Sequence, residues 1–100
     1  MAKLVRDKIP KLIKSQDKDP LFYVANSEEY YKALVEKLGE EVNEYMQSHN
    51  VEELADIMEV VYAIAKHKEV DKKKLEGIRL KKATEKGIFK NRFILKGIKE

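Results

Sequence analysis

One hundred residues fit one domain, residues 1–100, because ~100–200 residues per domain is usual, and 43% apolar content allows only a thin core. The absence of cysteine excludes a disulfide framework, thiolate zinc sites, iron–sulfur clusters and a cysteine nucleophile. A net charge of +3 is weak, and neither a signal peptide's apolar core nor a run of ~18 apolar residues is present, so a cytoplasmic protein without membrane partners is expected.

Residues 3–15 form a short basic segment in which any helix must begin or break at Pro10, which lacks an amide donor and restricts its predecessor. Residues 16–26, with Asp17, Asp19 and Pro20, read as a loop leading into the extended piece Leu21-Phe22-Tyr23-Val24. From Ser27 the helical period takes over. Asn26 with Glu29 fits a capping box, and Tyr30, Tyr31, Leu34, Leu38, Val42, Tyr45 and Met46 trace one apolar arc. Ser48-His49-Asn50 reads as a turn, and Asn50 with Glu53 repeats the capping pattern. A second helix to about Lys68 buries Val51, Leu54, Ile57, Met58, Val61, Ile64 and Ala65. A third spans roughly Asp71 to Lys86, with Asp71 as cap and Gly87 as stop. The apolar tail from Ile88 to Leu95 fits either strand or coil. The fold class is all-α: a helical hairpin with a third helix.

The charges are distributed unevenly. Lysines crowd both ends, whereas residues 36–59 hold eight carboxylates against Lys37 alone. On a helical wheel with Leu34 at zero, Glu41 falls at about −20°, inside the apolar arc, and Glu44 at about −80°, on its edge. Glu36 and Glu40 face the polar side. In the second helix, with Leu54 at zero, Glu53 lies at about −100° and Asp56 at about −160°, flanking the apolar arc. An ionised carboxylate on a buried face is costly unless it is paired or bound to a metal.

Register draws these positions together. Glu44 with Glu53, and Glu41 with Asp56, share the midpoint 48.5, inside the expected turn, so an antiparallel hairpin sets the pairs level in two layers ~4.5 Å apart. At ~5 Å and an effective dielectric of about 20, each like-charge pair repels by roughly 3 kcal/mol. Protonation or bound cations must relieve that. An all-oxygen set with no His or Cys suits Mg²⁺, with Mn²⁺ as the alternative. A solvated acidic face is the competing reading, because Lys- and Glu-rich helices produce such spacings by chance.

The motifs Glu40-Glu41-Val42-Asn43-Glu44 and Glu53-Leu54-Ala55-Asp56 resemble the Glu-Glu-x-x-Glu and Glu-x-x-Asp hallmark of the all-α nucleotide pyrophosphohydrolase superfamily, which comprises MazG-like proteins and phosphoribosyl-ATP pyrophosphohydrolases. The start, Lys3-Leu4-Val5-Arg6-Asp7-Lys8-Ile9-Pro10, is similar to a MazG-like opening, and the run from Lys81-Lys82 through Phe89 to Arg92 is similar to its end. Ile88 departs from the pattern, standing where a second Gly is expected before Phe89.

The resemblance implies Mg²⁺-dependent hydrolysis of a nucleoside triphosphate between the α and β phosphates, giving a monophosphate and pyrophosphate. By position, Glu41, Glu44, Glu53 and Asp56 would be metal ligands. Glu40, Glu41 and Glu44 would be the catalytic carboxylates, with Glu40 acting from behind the ligands. Arg6, Lys8, Lys82 and Arg92 are the candidates for phosphate binding. Phosphoribosyl-ATP hydrolysis is the alternative among enzymes. A helical nucleic-acid-binding or regulatory protein is the alternative outside them, although a nucleic-acid binder has no need of the acidic quartet.

One hairpin and a third helix cannot cover both Tyr30, Tyr31 and Met46 on one helix and Val60 and Ile64 on the next. Two hairpins packed as a four-helix bundle would cover both stripes. The resemblance likewise implies a homodimer or a dimer of dimers.

Overall fold

The computed structural model describes residues 2–100. Among them are four helices and no strand: α1 (Ile9–Ser15), α2 (Ser27–Ser48), α3 (Val51–His67) and α4 (Lys72–Lys86). The all-α expectation is met, with one helix more than the three expected. Pro10 sits in the first turn of α1, where its missing amide has no helical partner to lose. The tail beyond Gly87 is irregular, so coil rather than strand is its state.

Local signals fix the ends of the helices. The Asn26 side chain accepts from the Glu29 amide at 2.9 Å, opening α2. The other half of the expected capping box is not made: the Glu29 carboxylate accepts from the Tyr23 hydroxyl and so ties the extended segment to α2. α2 closes at His49, which takes the left-handed conformation (φ 59°) and returns its amide to the Tyr45 carbonyl at 2.8 Å. Asn50 departs from expectation as well. It precedes α3 without a side-chain cap, and its own amide donates to Ser48 Oγ at 3.2 Å. Glu53, its expected partner in the box, has its carboxylate among the acidic residues described below. Asp71 caps α4 through the Lys74 amide at 2.8 Å, and Gly87, at φ 84°, ends it.

α2 and α3 pack along their length as a hairpin, and α4 packs more lightly on α3. α1 packs on none of the other helices. The open end of the hairpin is fastened by His67. Its Nε2 lies 3.1 Å from Ser27 Oγ and 3.2 Å from the Ser27 carbonyl, and its ring lies near Tyr30 and Tyr31 at 5.9 and 5.2 Å. Lys72 reaches over the Tyr62 ring at 4.6 Å and joins α4 to α3.

The core is thin. Leu34 and Val60 are the only buried apolar side chains among the described residues. Several residues expected inside lie open: Met46 (65% exposed), Val51 (78%), Met58 (52%) and, less so, Leu54 and Val42. Met46, Val51 and Leu54 flank the turn of the hairpin, and Met58 lines an open cleft between α3 and the lightly packed α4. The radius of gyration, 18.1 Å, exceeds the ~13 Å of a compact 100-residue domain, and the molecule measures 64 × 32 × 22 Å. Among the described residues no helix is long and apolar enough to cross a membrane.

Candidate metal centre

The two-residue turn His49-Asn50 sets α2 and α3 in the register that brings their acidic positions level. Glu41 on α2 and Glu53 and Asp56 on α3 each offer a carboxylate oxygen, and these oxygens lie within 4.8 Å of one another. Glu41 forms the floor. It is only 7% exposed, the most enclosed charged residue described, as its place inside the apolar arc requires. Glu53 and Asp56 are half-buried and leave the group open on one side.

Two cations touch this group. Lys37, one helical turn before Glu41, brings its Nζ to 3.4 Å from Glu41 Oε1. Arg6, from the irregular segment before α1, donates from Nη2 to Asp56 Oδ1 at 2.7 Å. The three carboxylates, with Glu44 alongside Glu41, outnumber these two cations. Glu41 Oε2 is buried with no hydrogen-bond partner. A buried, unpaired oxygen of this kind costs about 1–3 kcal/mol, more when charged.

The residues present fit a divalent cation. The donors are all oxygen, which suits Mg²⁺, Mn²⁺ or Ca²⁺ rather than a soft metal. Opposite ligands of Mg²⁺ stand about 4.2 Å apart and adjacent ones about 3 Å, so three oxygens within 4.8 Å of one another must draw together to hold one ion. A cation there would also offset the cost of burying the Glu41 carboxylate, one oxygen of which has no partner.

The other candidate residues fall differently. Glu44 lies outside the group of three. Three residues on from Glu41, it is turned ~60° around the helix and is exposed. It stays close enough for its charge to act on Glu41. Glu40 is exposed, in keeping with its place on the polar side. Of the four basic candidates only Arg6 reaches the group. Lys8, Lys82 and Arg92 are exposed and form no ion pair among the described residues. Lys37 had a local signal, its i,i+4 spacing to Glu41. The Arg6–Asp56 contact spans 50 positions and had none. A shallow cleft between α3 and α4, lined by Met58, Tyr62, Leu75 and Arg79, contains none of the three carboxylates.

With this geometry in view, comparison with known proteins adds little. No protein-family model matches the chain, and no solved structure matches it. An uncharacterized protein of Mycolicibacterium smegmatis is 48% identical over 44 residues, which are 44% of this chain and 45% of that protein. The match therefore spans less than half the length of that relative.

Burial raises the Glu41 carboxyl above its ordinary 4.5, the neighbouring Glu44 charge adds to the rise, and Lys37 opposes it. Folded protein thus holds this proton at a pH where unfolded chain has released it. Between those two pH values the folded state binds more protons, so stability grows as pH falls from neutrality toward 4.5. In metal-free protein we expect the melting temperature to rise on mild acidification. The Glu41→Gln variant should melt a few degrees higher than wild type at pH 7.5 and lose that increment. Calorimetric melts from pH 7.5 to 5 check both, and identical profiles for the two proteins would contradict the assignment.

Proposed function

We propose that the chain is a Mg²⁺-dependent nucleoside triphosphate pyrophosphohydrolase of the MazG-like kind, serving the nucleotide pool in the cytoplasm. The observation that carries this reading is the convergence of Glu41, Glu53 and Asp56 from the two resemblance motifs, with one oxygen of the buried Glu41 unpartnered. Mn²⁺ is the alternative metal.

In this reading Glu41, Glu53 and Asp56 hold the cation. Bound, it neutralises phosphate charge and lowers the pKa of a coordinated water. Glu44 is the carboxylate left uncommitted beside Glu41, placed to take a proton from the attacking water. Glu40 stands behind it on the outer face. Arg6 stands at the edge of the group, where a phosphate chain would enter, and its planar guanidinium suits two phosphate oxygens at once. Lys8, Lys82 and Arg92 are proposed to add positive charge for the pyrophosphate leaving group.

The test is a panel of nucleoside triphosphates and phosphoribosyl-ATP incubated with Mg²⁺ and scored for pyrophosphate. Release is expected from the wild type and should fall more than about 100-fold in Asp56→Asn, with helicity kept, because the amide preserves volume but removes a hard anionic ligand. No release from any nucleotide with either metal would overturn the reading. Undiminished release by Asp56→Asn would overturn the site.

Assembly belongs to the same proposal. The bare apolar side chains of the hairpin, Met46, Val51, Leu54 and Met58, support pairing of two hairpins into a four-helix bundle, as a homodimer or a dimer of dimers. Light scattering is expected to give at least twice 11.7 kDa. A stable monomer at working concentration would contradict this.

A further inference from the structure

Arg6 occupies the acidic group in a manner that suggests more than surface pairing. It belongs to an arm, residues 2–8, that has no regular structure and precedes a helix packed on none of the others. Among the described residues, the bond from Arg6 to Asp56 is the arm's only side-chain hydrogen bond to the hairpin. Leu4 is the arm's only half-buried residue. The pair itself is open to solvent, at 58% and 40% side-chain exposure, so it is weak and readily exchanged. Lys37 is different: its side chain is only 22% exposed and is carried by the same helix as Glu41, one turn away.

Competition at Asp56 then matters. Arg6 Nη2 lies 2.7 Å from Asp56 Oδ1, so a dication ligated by the same carboxylate would meet the guanidinium as a like charge at close range. Arg6, exposed and carried by the irregular arm, is the cation that can give way.

We infer that Arg6 is a displaceable occupant of the acidic group, which straps the N-terminal arm to α3 until a divalent cation takes its place at Asp56. This rests on the reading of Glu41, Glu53 and Asp56 as a cation site, for which the unpartnered, more than nine-tenths buried Glu41 carboxylate is the independent sign. Metal entry releases the arm and frees the guanidinium for an anionic ligand. Arg6 is therefore a positioning residue that couples occupancy of the site to the state of the arm.

Mn²⁺ alone, without nucleotide, is the probe. Its affinity is measured by calorimetry on full-length wild type and on Arg6→Gln, and the arm is followed in the wild type by the rate of tryptic cleavage after Lys3 and Lys8. Circular dichroism verifies that the exposed Arg6→Gln change leaves the helices intact. Arg6→Gln is expected to bind Mn²⁺ about three- to tenfold more tightly, since a competing weak ion pair and a like charge are both removed. Wild-type cleavage should accelerate with a midpoint at the wild-type dissociation constant. Equal affinities, or weaker binding by Arg6→Gln, would overturn the strap and leave the cation site standing. Mn²⁺ binding without any change in cleavage would overturn release of the arm. Absence of Mn²⁺ binding by both proteins would overturn the strap together with the site on which it rests.

Discussion

The structure turns on one carboxylate placed where a hydrophobic residue would otherwise sit. Glu41 lies in the seam between α2 and α3, one of its oxygens near Lys37 and the other without a partner. Burying a charge this way costs stability in a domain with little to spare, since Leu34 and Val60 alone are buried apolar side chains among the described residues. A leucine there would be better for the fold. The cost is intelligible if the carboxylate is held ready for a cation, with Glu53 and Asp56 brought level by the turn.

The thin core follows from the same economy of parts. A hairpin with one lightly packed helix has too few layers to enclose the apolar residues around its turn, and the elongated shape shows the result. At the far end, His67 fastens α3 to the first residue of α2, where no apolar pair could satisfy the Ser27 hydroxyl. Rigidity is thus supplied at the open end by polar contacts, and at the turn by the left-handed His49 and the tight connection to Asn50. The acidic group sits on the turn-ward half of the hairpin, where the exposed apolar side chains Met46, Val51 and Leu54 also lie.

Much of this was legible in the sequence because it is local. The 3.6-residue period marked α2 and α3, Asn26 and Asp71 marked helix starts, and counting outward from the turn matched Glu41 with Asp56. What stayed hidden was set by tertiary contact. The wheel put Glu44 on the edge of the apolar arc, but the edge proved to be the solvent side, and Glu53 joined Glu41 and Asp56 without it. Asn50 lost its capping role, with the Glu53 carboxylate among the acidic residues instead. His67 meets Ser27 across 40 positions, a contact with no local signal. Arg6 reaches Asp56 across 50 positions, a separation that no periodicity records.

The central claim is that Glu41, Glu53 and Asp56 are cation ligands rather than a solvated acidic face. Anomalous diffraction from crystals grown with Mn²⁺ tests it most directly, because the signal is specific to the metal and independent of any assay. The account predicts anomalous density between the three carboxylates, with Glu41 Oε2 among the ligands and Asp56 no longer bonded to Arg6. Crystals saturated with Mn²⁺ that show no anomalous density there, with Arg6 still on Asp56, would contradict it.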